Sequence, residues 1–138
     1  MAKYPQTLTH LIAFLKKLPG VGTRTAERYA FQILNWQQGD LSHFSTLLAE
    51  LKEKITPCPE CRCLTESGRC EFCHSATRDK SQLCIIASPR DAYSIDETGA
   101  YRGLYHVLGG LLSPIHGKMP EHLHLDQLKN RITNLQTK

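Results

Sequence analysis

The chain has 138 residues, of which 41% are apolar and 22% charged, and 17 Lys and Arg against 13 Asp and Glu leave a net charge of +4. These figures exclude a disordered chain and fit about one domain with a real core. No apolar run reaches the ~20 residues of a membrane-spanning helix, and residues 1–17 lack a signal-peptide layout, so neither an integral membrane nor a secreted protein is expected.

Residues 1–56 read as helical. Leu8, Leu11, Ile12, Leu15 and Leu18 recur at helical spacing, and Pro19-Gly20 ends that run. A second stripe, Ala26, Tyr29, Ala30, Ile33 and Leu34, runs to the break at Gly39-Asp40. A third is Phe44, Leu47, Leu48, Leu51 and Ile55. All three stripes are expected to pack into a core.

Between the first two helices lies Leu18-Pro19-Gly20-Val21-Gly22. Gly20 and Gly22 let the backbone turn tightly and come close to a ligand. The next helix then opens with unpaired N–H groups that favour a phosphate oxygen. Arg24 and Arg28 are four residues apart, on one face and off the apolar stripe. Gly20, Gly22, Arg24 and Arg28 are therefore the candidate DNA-binding residues, making sequence-independent phosphate contacts. An ordinary helix connection with solvated arginines is the competing reading. The string LPGVGTRTAERYA resembles a helix-hairpin-helix motif.

Residues 57–75 are cysteine-rich. Cys58-Pro-Glu-Cys61 and Cys70-Glu-Phe-Cys73 form two C-x-x-C pairs separated by eight residues. Two such turns can close a tetrahedron of thiolates, and soft sulfur ligands in that geometry favour zinc. Cys58, Cys61, Cys70 and Cys73 are the candidate ligands of one structural Zn2+ per chain, with no open position for a catalytic water. The insert is expected to have no core of its own and to fold on the metal. An iron–sulfur cluster and a thioredoxin-like redox pair are the other readings, and His74 is a possible substitute for Cys73. Cys63 reads as an unligated bystander and Cys84 as a small core residue.

Residues 76–138 read as mixed strand and helix. A buried strand at 83–86 precedes a helix from Pro89 to about Thr98, and a second strand covers 103–108. A loop runs from Gly109 to Pro120, and Leu123, Leu125, Leu128, Ile132 and Leu135 mark a closing helix. This is the start of a parallel α/β sheet that looks unfinished, with the strand at 104–108 expected to lie uncovered. Residues 83–138 are accordingly expected to be the least stable part. No Asp-x-Asp pair or Gly-rich phosphate loop with Lys-Ser or Lys-Thr occurs, Ala87 stands where a strand-end carboxylate would sit, and Asp91, Asp96 and Glu97 read mainly as N-terminal and solvated helix charges. No enzyme is expected.

The linked order LPGVGTRTAERYAF, CPECRCLTESGRCEFC and LCIIASPRDAYSIDETGAYRGLYHVLGGLLSPIHG closely resembles the bacterial recombination mediator family RecR, from about residue 7 to the end. The resemblance implies an α+β architecture of several parts. A helix-hairpin-helix region would occupy 1–56, a C4 zinc finger 57–75 and an incomplete Toprim domain 76–138. It implies a cytoplasmic, nucleoid-associated DNA-repair protein acting with RecF and RecO in recombinase loading on gapped DNA, and ring-like tetramers. The family's basic hairpin positions fall on Arg24 and Arg28. Its usual E-S-P-x-D segment is here Ala87-Ser88-Pro89-Arg90-Asp91, without the glutamate. Self-association through the N-terminal region is expected, as at most a dimer. A zinc-stabilised protein-interaction module, an inactive truncated fragment and a degenerate Toprim enzyme are the alternatives.

Overall fold

The computed structural model describes residues 3–111, 113–116 and 119–135. Its elements are α1 (Gln6–Leu15), α2 (Thr23–Leu34), α3 (Gln38–Lys54), β1 (Thr56–Pro57), β2 (Leu64–Thr65), α4 (Glu71–His74), β3 (Asp79–Ile86), α5 (Pro89–Glu97), β4 (Gly103–Val107) and α6 (Leu125–Leu135). Short 3-10 turns at Pro114–His116 and Pro120–His122 break the expected loop, of which positions 112, 117 and 118 lie outside the described residues. The architecture is mixed α+β, in two compact units, 1–50 and 51–138.

In the first unit, α1 and α2 pack through Ile12, Ala26 and Ala30, with Leu8, Leu11, Leu15 and Val21 around them. Alanines four residues apart leave the α2 face flat enough for close approach. The expected stripes are only partly buried, since Leu18, Tyr29 and Leu34 are exposed. The larger correction concerns α3, which buries no residue. Phe44, Leu47, Leu48 and Leu51 all lie exposed along it, with Trp36 edge to face on Phe44.

The second unit is built on β3 and β4, which pair in parallel with Leu83 beside Leu104 and Ile86 beside Val107. β3 starts at Asp79, earlier than the apolar run suggests. Helix α5 follows through a capping box. The Ser88 hydroxyl accepts from the Arg90 N–H at 3.2 Å, and the Asp91 carboxylate accepts from the Ser88 N–H at 2.9 Å. Asp91 is thus an N-terminal helix charge, as expected, whereas Asp96 pairs with Arg78 at 2.6 Å and is not the solvated charge that the sequence suggested.

β4 is buried along its whole length. Its even-numbered residues turn their backbone groups to β3, as the Leu108 N–H to Ile86 carbonyl bond shows. Its odd-numbered residues face the other edge, where no strand lies among the described residues. There the Val107 N–H donates to the Cys61 carbonyl at 2.8 Å, and the Tyr105 carbonyl accepts from the Arg131 guanidinium. The expectation of an uncovered strand at 104–108 is therefore wrong. β3 is the less covered of the two, with Ile85 48% exposed.

The cysteine insert has no separate core and instead packs into that of the sheet. Cys58, Cys61, Cys63, Cys70 and Phe72 share a single cluster with Ile86, Ala92, Tyr105 and Val107. Phe72 and Tyr105 meet edge to face at 5.0 Å between ring centres, and the Arg78 guanidinium lies 4.8 Å from the Phe72 ring centre.

His106 is fully buried in β4, and among the described residues its Nε2 has no hydrogen-bond partner. Burial first, then the Arg131 guanidinium, pushes its imidazole from the ordinary 6.5 down to about 4; Arg62 and His124 also face it. The unfolded chain thus binds a proton that the folded chain refuses. Stability from this group is complete above about pH 6.5 and is lost as pH falls toward 4, by roughly 3 kcal/mol at most. Urea unfolding at pH 7.5 and pH 5 should show a smaller loss for His106→Leu than for the native chain. Equal losses would place the proton uptake on other groups.

Candidate functional site

The cysteine cluster is assembled by short local structures. β1 and β2 pair antiparallel, Thr56 beside Thr65 and Pro57 beside Leu64, which brings both ends of the first knuckle together. The Cys58 N–H donates to the Cys63 carbonyl at 2.6 Å, and the Arg62 N–H to the Cys58 carbonyl at 2.9 Å. This tight turn holds Arg62 at φ +63°, a left-handed conformation unusual for a side-chain-bearing residue. Thr65 closes the intervening loop by donating to the Arg69 carbonyl at 2.9 Å. Cys70 then caps α4, its sulfur accepting the Phe72 N–H at 3.3 Å. The Cys61 sulfur accepts the Cys63 N–H at 3.4 Å.

The sulfurs of Cys58, Cys61, Cys70 and Cys73 all lie within 4.8 Å of one another. Zn–S bonds of about 2.3 Å in a tetrahedron require sulfurs roughly 3.8 Å apart. The four donors therefore fit one tetrahedral ion with small adjustments. The thiols also shift one another's protonation strongly. The Cys63 thiol, aided by Cys73, brings Cys61 down to about 7 against the opposing push of Cys70 and burial. Contact with Cys61, Cys63 and Cys73 holds Cys70 far below the ordinary cysteine range. Burial raises Cys58, and the neighbouring Cys61 raises Cys73.

Cys63 is buried against the cluster yet stands outside the group of four. His74 turns away, its Nδ1 lying 3.3 Å from the Cys70 carbonyl. One contact was not anticipated from sequence: Arg131 of α6 places Nη2 3.2 Å from the Cys73 sulfur. The available signal was a cation at position 131, on the same helix face as Leu128 and Leu135.

The hairpin between α1 and α2 turns at Gly20, which has φ +77°. Gly22 is the N-cap of α2 in extended conformation, and no side chain caps the helix. Arg24 and Arg28 are both exposed. The uncapped helix start and the two guanidiniums therefore belong to one face.

Residues 8–52 match the family described as "RecR, helix-hairpin-helix", and residues 81–136 match the Toprim domain family. "Recombination protein RecR" of Protochlamydia amoebophila is 50% identical over 136 residues, covering 99% of this chain and 69% of that protein. The chain belongs to the RecR family. RecR of Chlamydia felis is 45% identical over 140 residues, covering all of this chain and 70% of that protein. RecR of Rubrobacter xylanophilus is 43% identical over 132 residues, covering 96% and 66%. For a RecR chain the α1–α2 turn and the cysteine cluster are thus two separately built sites, each resting on its own backbone geometry.

Gly20→Ala tests the first of these. Open space surrounds a Cβ at this position, so the cost lies in the left-handed backbone alone. A loss of about 1 kcal/mol in urea unfolding of the helical unit is expected. An unchanged midpoint would show that the turn readily adopts another conformation.

Proposed function

We propose that this RecR-family chain is a zinc-stabilised, sequence-independent DNA-binding protein of recombinational repair. It works with RecF- and RecO-type partners in loading recombinase on gapped DNA, in the cytoplasm at the nucleoid. The observation that carries this reading is the α1–α2 hairpin. Its uncapped helix start stands beside the exposed Arg24 and Arg28, and Gly20 and Gly22 keep the backbone open to a phosphate. We assign 1–56 to DNA contact and self-association, 57–75 to the zinc finger and 76–138 to the Toprim-like part.

Cys58, Cys61, Cys70 and Cys73 hold one structural Zn2+, since four thiolates fill its coordination and leave no place for a reacting water. The Toprim-like part is not catalytic. Ala87 ends the strand where the family pattern has an acid, and Asp91 is committed to capping α5. The exposed Phe44, Leu47, Leu48 and Leu51 of α3 favour self-association through the N-terminal region.

Affinity for a short gapped duplex should fall steeply with salt. Arg24→Ala with Arg28→Ala should weaken binding by a similar factor on every sequence and lower the salt slope by about one unit per lost contact. Unfolding should barely change, because both side chains are solvated. Salt-independent binding would favour a protein-interaction module instead, and full affinity in the double variant would move the DNA contact elsewhere.

Metal content tests the other half. Protein purified without chelator should carry about one zinc per chain. Cys70→Ser should lose it, and Cys63→Ala should keep it. Loss in Cys63→Ala would move the ligand set.

A further inference from the structure

Arg131 is 8% exposed, on the inward face of α6 beside the equally buried Leu128. A buried cation is costly unless charge and hydrogen bonds compensate it. The acceptors within its reach are the Tyr105 carbonyl, the His106 Nδ1 at 3.4 Å and the Cys73 sulfur at 3.2 Å. None of these is a carboxylate. One turn earlier on the same helix, the Gln127 side-chain amide donates to the Pro59 carbonyl, inside the Cys58–Cys61 knuckle. Helix α6 therefore reaches both cysteine knuckles from one face.

We propose that Arg131 is a positioning residue of the metal centre. Its guanidinium donates a hydrogen bond to the Cys73 thiolate, and together with Gln127 it clamps α6 across the two knuckles. The inference rests on the reading that the four cysteines hold zinc. A tetrathiolate zinc site carries a net charge of about −2, and Arg131 is the cation placed against it. Charge-assisted donors to ligand atoms fix ligand orientation and slow metal loss. The same guanidinium caps the outer carbonyl of Tyr105 on β4, while Cys61 accepts from Val107. Both knuckles are thereby tied to the outer edge of one strand.

The test uses the full zinc-loaded chain and reads the rate of zinc transfer to a chromogenic chelator. Arg131→Met keeps the apolar stem and removes the donors and the charge. It should speed transfer by roughly 10–100-fold and make Cys73 the first cysteine alkylated. Arg131→Lys should restore part of the native rate. Leu128→Ala removes a buried neighbour on the same helix, so it should lower Tm while leaving the transfer rate within about twofold of native.

A native rate in Arg131→Met, or equal acceleration in Leu128→Ala, would overturn the proposal. Should Arg131→Met not fold, the native chain loaded with 113Cd and 15N-labelled at arginine decides. A scalar coupling between cadmium and the Arg131 Nη–H is expected, and its absence counts against the hydrogen bond. Native protein that binds no metal removes the zinc reading itself. Metal-loaded native protein with an indifferent Arg131 removes only this inference.

Discussion

A buried strand has backbone groups on two edges, and among the described residues β4 has a strand on only one of them. The other edge must still be satisfied, since an unpaired buried N–H or carbonyl costs about as much as a lost hydrogen bond. Here a cysteine knuckle and a helix do what a strand would do. The Cys61 carbonyl takes the Val107 N–H, and Arg131 covers the Tyr105 carbonyl. This requirement links the cysteine segment, the small parallel sheet and α6. It explains why the cluster sulfurs, Phe72 and Tyr105 lie in one core.

Much of this was legible from sequence. Two C-x-x-C pairs announce four convergent sulfurs because the spacing itself makes the turns. The hairpin was legible for the same reason, with Gly20 at the one left-handed position of the turn. The strands and the closing helix follow from periodicity, and Ser88-Pro89 marks the start of α5. The misreadings share a cause. Whether Phe44 or Leu47 is buried depends on what faces it, and a stripe says nothing about that. Likewise the apolar run at 104–108 reports burial, but only the tertiary structure shows that a carbonyl and a guanidinium close its edge. Asp96 read as solvated because its partner, Arg78, is distant in sequence.

The two compact units divide the chemistry. The helical unit presents positive charge and open backbone at the α1–α2 turn, and a solvent-facing apolar stripe along α3. The second unit buries its polar chemistry: thiols, an imidazole whose Nε2 has no partner among the described residues, and a guanidinium lie beneath the surface. The exposed arginines are open to an external ligand, whereas the buried groups act on one another.

The four-cysteine cluster and the parallel sheet share one core and are joined along the outer edge of β4. Amide hydrogen exchange at Val107, measured with the metal bound and after chelation, tests this link most directly. The account predicts strong protection in the loaded protein and a large loss on chelation, because the acceptor belongs to Cys61. Fast exchange in the loaded protein, or protection unchanged by removing the metal, would contradict it.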